Sequence, residues 1–277
     1  MWQVMQTMRS IVTSTYRALF VKRRFYEFNK LIFNLSLRGL GVLNFENDKL
    51  SGEDHFLCDF SKSARQLLVL DVGASVGNYS NRVRELSPDA TIYAFEPHPK
   101  SFAQLQHEAS KYGYTALNLA CGRMTGRAKL YDYEGNREGS QHASLHKDVI
   151  ETIHESRAIA WDIQVTTPDH FMEEEGIGKV HLLKIDTEGN ELNVLLGAKK
   201  SIEKGIIDVI RFEFNQMNVI SRVFFKDFYD VLPRYTFYRM LPDGLVPLGT
   251  YSPLSCEVFG HQNIVAIRKG CRFIKGI

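Results

Sequence analysis

The segment LLVLDVGASVGNYS, residues 67–80, predicts a buried strand that turns sharply into a helix. Its first six residues, 67–72, form a short apolar run that contains one acid, and Gly73 follows directly. A second glycine, Gly77, stands just before a helical pattern over residues 79–86. Glycine allows the backbone to turn tightly and allows a ligand to approach the main chain. The segment is therefore typical of the first strand and helix of a nucleotide-binding α/β fold.

The alternation of strand and helix continues along most of the chain. Further strands are predicted at 91–96, 114–120, 163–167, 180–186, 206–214, 235–241 and 263–269, and helices at 101–112, 168–175 and 191–204. Near-continuous apolar strands that alternate with helices indicate a mostly parallel sheet covered by helices on both faces. Only residues 127–145, a strand followed by a polar loop, interrupt the pattern.

Size and composition fit one large α/β domain, alone or with a small appendage. The chain has 277 residues and a net charge of +2, which predicts no nucleic-acid partner. The four cysteines have no metal-ligand spacing and are expected to be reduced thiols. No signal peptide and no apolar run long enough to cross a membrane is visible, so we expect a cytoplasmic protein.

The N-terminal 40 residues have a different charge from the rest of the chain. They contain seven basic residues and the single acid Glu27, a net charge of +6. Apolar residues between Val4 and Leu37 recur near helical spacing, and Gly39 and Gly41 end the helical region. Two interpretations remain open. The helices pack on the main domain, or they form a basic amphipathic surface that contacts a partner or an anionic membrane at its inner face.

Polar groups follow almost every predicted strand of the sheet. Because ligands bind beyond the carboxyl ends of parallel strands, these groups are expected to lie along one edge that holds the functional site. The groups are Asp71–Gly77, Glu96, Asn118–Cys121, Asp186–Glu188 and Glu213–Asn215.

The turn DVGASVGNYS, residues 71–80, differs from a dinucleotide-binding loop. The G-x-G-x-x-G pattern would place glycines where Ser75 and Asn78 stand, and Asp71 would repel a phosphate. An acid at this position suits a cationic ligand that carries no phosphate, and S-adenosylmethionine is such a ligand. Glu96, at the end of the next strand, is placed to accept hydrogen bonds from ribose hydroxyls. The loop thus favours S-adenosylmethionine over NAD.

Four segments together resemble the FkbM-type S-adenosylmethionine-dependent methyltransferases. They are LLVLDVGASVGNYS, IYAFEPHP, IQVTTPDHFMEEEGI and LLKIDTEGNELNVLLGAKKSI, within residues 53–215. The resemblance implies a class I, Rossmann-like methyltransferase with a seven-stranded, mostly parallel sheet whose last strand is antiparallel. We expect a basic helical extension at 1–50 and the methyltransferase domain at 51–277.

The resemblance also implies the cofactor site. Glu53, with His55, is expected to close over the methionine end of the cofactor, Glu96 to hold the ribose, and residues 118–121 to lie near the adenine. The expected cofactor-binding residues are Glu53, Asp71, Gly73, Ala74, Ser75, Gly77, Asn78, Tyr79, Glu96, Pro97, Asn118, Ala120, Cys121 and Asp186.

Methyl transfer to a hydroxyl oxygen needs an aligned acceptor and a group that takes its proton. Asp186 is the first candidate, with capping of the following helix as its alternative. Glu188 and Glu213 lie on the same expected edge, and His142 could be the base or a solvated loop residue. Glu191, in the first helical turn, is expected to be structural. Asp186, Glu188 and Glu213 offer ligands suited to Mg²⁺, but we predict no required metal.

The leading hypothesis is transfer of a methyl group to a hydroxyl on a saccharide, in a glycan or glycolipid. The alternatives are a polyketide-type acceptor and an inactive cofactor-binding scaffold in a glycan-assembly complex. A dehydrogenase is disfavoured by the glycine pattern. A nucleic-acid methyltransferase is disfavoured because no N/D-P-P-Y/F motif is present.

Overall fold

The structure, a computed structural model, describes residues 2–135, 139–140 and 142–271. Parts of two predicted regions, the 127–145 loop and the end of the 51–277 domain, lie outside the described residues. The strands are β1 Leu68–Val72, β2 Thr91–Phe95, β3 Thr115–Leu117, β4 Ala120–Cys121, β5 Gly126–Tyr133, β6 Ala158–Thr166, β7 Val180–Ile185, β8 Ile207–Phe214, β9 Tyr235–Leu241, β10 Gly244–Pro247 and β11 Gln262–Arg268.

Helices precede the sheet and connect most of its strands. They are α1 Trp2–Phe20, α2 Tyr26–Gly39, α3 Asp48–Ser51, α4 Glu53–Ser61, α5 Asn78–Leu86, α6 Pro99–Tyr112, α7 Pro168–Glu174, α8 Glu191–Gly197, α9 Lys199–Glu203, α10 Met217–Ser221, α11 Phe225–Val231 and α12 Pro253–Cys256. A 3-10 turn (Arg23–Phe25) joins α1 to α2, and a π-helical turn (Val149–Ile153) precedes β6.

The main sheet has the order β10-β9-β11-β8-β7-β1-β2-β3 among the described residues. Strands β3, β2, β1, β7 and β8 run parallel, and β11 is antiparallel to both β8 and β9. Alternate strand residues enter two cores: Leu70 packs with α7–α9 and α11, and Val69 packs with α4 and α5. The predicted α/β class, the helices on both faces and the antiparallel last strand are confirmed.

The predicted count of seven strands is wrong, because the main sheet has eight in the part of the chain that the structure describes. The additional strand, β10, forms a hairpin with β9 in which Gly244 pairs with Leu241. Only Pro242 and Asp243 separate these two residues. Turn residues of this kind favour a tight hairpin, so the signal was present in the sequence.

The predicted strand at 114–120 is in fact two short strands in different sheets. After β3 the chain leaves the main sheet, and β4 joins a smaller sheet of order β4-β6-β5. The predicted helix at 191–204 is likewise divided at Ala198 into α8 and α9. At Gly197 a Cβ atom would lie 2.0 Å from the Gly122 carbonyl oxygen, which shows how closely this region packs on the loop after β4.

Helices α1 and α2 have little contact with the domain. Side chains 6–19 of α1 are all exposed, and no residue of α2 is buried. The chain reaches the domain only after α2, where Val42 is fully buried and the Leu43 N–H donates to the His261 carbonyl at 2.7 Å. Among the side chains that the structure describes, α1 and α2 therefore make little contact with the main domain, in contrast to the first of the two interpretations. Within the described residues, none of the helices combines the length and apolar character needed to cross a membrane.

The turn after β1 packs directly on the tip of β7. Gly73 has a φ of +78°, and a Cβ atom there would lie 1.8 Å from the Asp186 carbonyl oxygen. The Asp186 N–H donates to the Val72 carbonyl at 3.0 Å, and the Gly73 N–H donates to the Phe95 carbonyl at 3.0 Å. Three parallel strands are thus held together at their carboxyl ends, with no space for a side chain at Gly73.

We expect Gly73→Ala to lower the free energy of unfolding more than Gly113→Ala does. Gly113 has a similar φ of +76°, but nothing lies within 4 Å of its Cβ position. The left-handed conformation alone costs about 1–2 kcal/mol, and overpacking at Gly73 adds about 3 kcal/mol. Urea unfolding of both variants measures the difference. Equal losses would show that the contact with Asp186 is not restrictive.

Candidate functional site

Two adjoining spaces open at the carboxyl ends of the parallel strands. The larger, here called the main cavity, has a volume of about 760 Å³. The smaller, here called the side pocket, is bounded by β2, the segment around β4 and the turn after β7. Both are lined by Gly73, Ser75, Asp186 and Glu188, which therefore mark their junction. This is the edge at which the sequence predicts the functional site.

Asp71 lies behind the turn and lines neither space. It is fully buried, accepts a hydrogen bond from the Ser80 hydroxyl at 2.7 Å, and pairs with the Lys184 ammonium at 3.0 Å. Lys184 also donates to the Gly73 carbonyl at 2.8 Å. In the structure Asp71 therefore does not face a ligand directly but supports the glycine turn through Lys184.

The turn itself faces the main cavity through Gly73, Ala74, Ser75, Asn78 and Tyr79. Ser75 adopts a positive φ of 49°, a left-handed conformation that is uncommon for a residue other than glycine.

Gly77, also predicted to bind cofactor, does not line either space. Its φ is +93°, and a Cβ atom there would lie 2.4 Å from the Tyr114 hydroxyl. Gly77 is required because α5 starts against Tyr114 and Leu105, so its role is packing.

Glu96 stands at the end of β2 and lines the side pocket together with Pro97. One carboxylate oxygen accepts the Ser75 N–H at 2.9 Å, and the other accepts the His98 N–H at 2.7 Å. Burial raises the pKa of Glu96 to about 7, against the lowering effect of these two N–H groups. Each carboxylate oxygen retains a further lone pair for a ligand hydroxyl.

The segment after β3 contributes to the side pocket through Ala120 and Cys121. Asn118, predicted to lie near an adenine, instead donates to the Glu96 and Pro97 carbonyls at 2.9 and 3.1 Å and lines neither space. His98, two residues after Glu96, is fully buried with its Nε2 3.4 Å from Asp132.

A buried arginine connects three acidic side chains around the main cavity. Arg211 of β8 is 2% exposed and lies 2.8 Å from Glu53, 3.3 Å from Asp186 and 3.5 Å from Glu213. It also donates to Asn263 at 2.9 Å. Burial raises the pKa of Glu53, against the attraction of Arg211.

The sequence interpretation missed Arg211. Its signal was a single cation within the apolar strand IIDVIRFEF, residues 206–214, because a charge there must find partners. His55, expected beside Glu53, is exposed and pairs with Asp59 at 3.3 Å instead.

Glu213 lines the main cavity but is also bound by His261, a second residue that the sequence interpretation missed. Their side chains are 3.2 Å apart. Burial alone would raise the pKa of Glu213, but the hydrogen bond and charge of His261, with Arg211, hold it below its usual range. Burial would lower the pKa of His261, yet Glu213 raises it. Glu213 is therefore a stable anion rather than a proton acceptor.

His142 and Glu188 form a pair at the junction of the two spaces. His142 Nδ1 lies 3.2 Å from the Glu188 Oε1 atom, and the rings of His142 and His154 are 4.8 Å apart. Glu188 has a positive φ of 52°, and burial raises its pKa to about 7. The hydrogen bond that Glu188 accepts from the ring of His142 raises the pKa of His142, against the effect of burial.

Glu191 has the structural role expected of it. It is 2% exposed and accepts hydrogen bonds from the Thr187 N–H and hydroxyl and from the Gly189 N–H, at 2.9, 3.0 and 3.1 Å. These bonds fix the turn that positions Glu188. Asp186 does not cap α8; its side chain, 30% exposed, lines both spaces.

Three polar atoms around the junction are buried and have no hydrogen-bond partner within the described residues. They are the Ser75 hydroxyl, the Tyr79 hydroxyl and the Glu188 Oε2 atom. Unpaired buried polar atoms are uncommon and are often found where a ligand binds. In the described ranges no group of three histidine, cysteine or acidic side chains has the arrangement of a metal site.

The fold and the ligand-sized cavity at the strand ends define a class I methyltransferase. The family described as the Methyltransferase FkbM domain matches residues 71–238. The chain belongs to this family.

Three curated relatives share about a quarter of their aligned residues with the chain. Methyltransferase 1 of Beauveria bassiana is 24% identical over 47% of this chain and 57% of its own. The 2-O-methyltransferase NoeI of Sinorhizobium fredii is 24% identical over 64% and 76%. The hexuronic acid methyltransferase AglP of Haloferax volcanii is 25% identical over 48% and 50%. The chain thus spans only about half of two of these relatives.

We expect Arg211→Met to lower the free energy of unfolding by about 3–5 kcal/mol, because it leaves buried carboxylates unpaired. Arg268→Met is the matched control in the same sheet. Arg268 is 27% exposed, and its partner Asp208 would keep Lys179, so the expected loss is under about 1 kcal/mol. Urea unfolding measures both, and similar losses would refute a special role for Arg211.

Proposed function

We propose that the protein transfers a methyl group from S-adenosylmethionine to a hydroxyl oxygen of a saccharide. The observation that supports this most directly is the His142–Glu188 pair at the junction of the main cavity and the side pocket. A proton acceptor there lies between the side pocket, a space of only about 50 Å³ whose lining residues have the chemistry to contact a nucleoside, and the larger main cavity, which suits an acceptor.

The residues of the side pocket fit the nucleoside part of S-adenosylmethionine. Phe95, Leu119 and Ala120 supply apolar walls for an adenine, and the Glu96 carboxylate has free lone pairs for ribose hydroxyls. The methionine part of the cofactor can contact the Ser75 and Tyr79 hydroxyls, which have no partner within the described residues, and the carboxylate of Asp186. When bound, the cofactor supplies an electrophilic methyl group on a sulfonium.

The proposed base is His142, oriented by Glu188. Because Glu188 engages Nδ1, the other ring nitrogen, Nε2, is left to take the proton of the acceptor hydroxyl. Asp186, the first candidate from the sequence, is engaged by Arg211, so we assign it to ligand positioning. Glu213 is assigned to holding Arg211 and His261. Glu53, beside Arg211, closes the same side of the main cavity.

The names of the relatives support a saccharide acceptor in a glycan or glycolipid. NoeI is named a 2-O-methyltransferase and AglP a hexuronic acid methyltransferase. The main cavity, with about 760 Å³ and both aromatic and polar walls, suits an acceptor of this size and polarity. A polyketide-type acceptor or a scaffold without activity are the alternatives that an activity assay distinguishes.

We expect S-adenosylhomocysteine to bind and NADH not to bind in isothermal titration calorimetry. Because the Glu96 carboxylate has a pKa of about 7, its ionised form is lost as the pH falls from 8 to 6, and affinity falls with it. Glu96→Gln should bind about 10–100-fold more weakly at pH 8 and lose the pH dependence. Glu108→Gln, on α6 and lining neither the main cavity nor the side pocket, is the control. Tight NADH binding would refute the proposal.

We expect labelled S-adenosylmethionine to methylate a member of a panel of nucleotide sugars and glycolipids. The rate should increase with pH through the raised pKa of His142, because only the neutral ring accepts a proton. Glu188→Gln removes the group that raises this pKa, so the midpoint of the pH profile should shift to lower pH. His142→Gln should lower kcat by about 100-fold or more with unchanged S-adenosylhomocysteine affinity.

His170→Gln is the matched control for His142→Gln. His170 forms an exposed pair with Glu174 at 3.4 Å and does not line either space. Asp186→Ala, assayed with and without chelator, separates positioning from a metal requirement. A pH profile that is the same in Glu188→Gln and the unaltered protein would exclude His142 as the base.

A further inference from the structure

Helices α1 and α2 present apolar side chains to solvent on extended faces. On α1, Met8, Ile11, Val12 and Leu19 lie on one side of the helix and are 61, 61, 66 and 52% exposed. On α2 the corresponding face consists of Phe28, Leu31, Ile32 and Leu35, which are 43, 55, 39 and 55% exposed. Exposed apolar surface on this scale marks an interaction site.

The same helices carry a concentrated positive charge. Their seven basic residues are all exposed, and three of them, Lys22, Arg23 and Arg24, are consecutive at the junction of the helices. Glu27 is the single acid in residues 1–40. This pattern, with apolar residues on one face and lysine and arginine beside them, is characteristic of helices that lie in the interface of an anionic lipid surface.

The junction between the helices has a defined packing. Phe20 contacts Phe25 and Phe28, with ring centroids 5.3 and 5.6 Å apart, and the Asn29 side chain donates to the Phe20 carbonyl at 3.1 Å. The Tyr16 hydroxyl also donates to Asn29. These contacts hold the end of α1 against the start of α2, so the two helices are presented as one unit.

The C-terminal end of α2 is attached next to the main cavity. Arg38 donates to the Leu43 carbonyl at 3.0 Å and pairs with Glu46, and a Cβ atom at Gly41 would lie 2.4 Å from the Met240 carbonyl oxygen. Leu43 and Phe45, only a few residues beyond α2, line the main cavity. A surface bound by the helices would therefore lie close to the cavity entrance.

We propose that α1 and α2 bind the protein to an anionic lipid surface and hold the entrance of the main cavity beside it. A second copy of the chain is a poorer occupant of these faces, since it would bring two segments of charge +6 together. This placement also favours an acceptor saccharide that is carried on a lipid, an inference that rests on the proposed function.

The test is flotation of the full-length protein with vesicles of phosphatidylcholine, with and without phosphatidylglycerol. We expect retention only on the anionic vesicles. The triple variant Lys22→Glu, Arg23→Glu and Arg24→Glu should reduce the partition coefficient by about 100-fold or more, given the contribution of each basic residue near such a surface. Leu31→Asn with Leu35→Asn should also reduce it, because apolar area no longer enters the interface.

The matched control has the same change of charge on α9 and the residue that follows it, in Lys199→Glu, Lys200→Glu and Lys204→Glu. These residues are exposed and precede β8, on the edge of the sheet opposite to the cavity, so binding should be unchanged. Equal retention on both vesicle types, or full retention of the helix variants, would overturn the proposal. The proposal would also be overturned if the protein bound no vesicles and captured an acidic protein instead.

S-adenosylhomocysteine binding, measured on the same samples, separates this proposal from the proposed function. Lys22, Arg23 and Arg24 do not line the main cavity or the side pocket, so the charge variant should bind S-adenosylhomocysteine normally. If the unaltered protein binds S-adenosylhomocysteine but does not bind vesicles, only the membrane proposal is overturned. Normal vesicle binding without ligand binding overturns the proposed function alone.

Discussion

The site depends on a buried guanidinium that must be neutralised. Arg211 lies in the middle of the sheet, 2% exposed, where an unpaired cation is costly. It is tolerated because Glu53 from α4, Asp186 after β7 and Glu213 from its own strand all turn towards it. This requirement fixes the N-terminal end of α4 against two strand ends, and with it the shape of the main cavity.

Lys184 meets the same requirement on the other side of Asp186. Its ammonium lies 3.0 Å from Asp71 and donates to the Gly73 carbonyl, so the glycine turn is held by a buried ion pair. The two cations engage Asp71, which the sequence placed in the cofactor loop, and Asp186, its first candidate for the base. In our proposal the proton transfer therefore falls to His142, whose partner Glu188 stands outside this cluster.

Much of the fold could be predicted because each strand has its own local signal. The apolar runs, the glycine turns and the alternation with helices gave the α/β class, whereas the antiparallel last strand was implied by the resemblance to the FkbM-type family. Some elements were assigned wrongly because a local signal was overlooked, and others because their pairing depends on residues distant in the chain. The hairpin at Pro242 and Asp243 was a local signal that was overlooked, whereas the transfer of β4 to a second sheet depends on pairing with residues of β6 that lie 45 positions away in the chain.

The sequence by itself determined which residues stand at the carboxyl edge. The alternation of side chains along a strand, together with the position of its last residue, fixes where its final side chains lie. It also determined that residues 1–40 are basic and amphipathic. Tertiary structure decided which of those edge residues are available to a ligand. Asp71, Gly77 and Asn118 support the site without lining it. Arg211, which the sequence marked only as a lone cation in an apolar strand, and His261, which no local pattern distinguishes, complete it. Ion pairs and hydrogen bonds between elements distant in sequence determine which edge residues can contact a ligand. These interactions form only when the strands lie side by side.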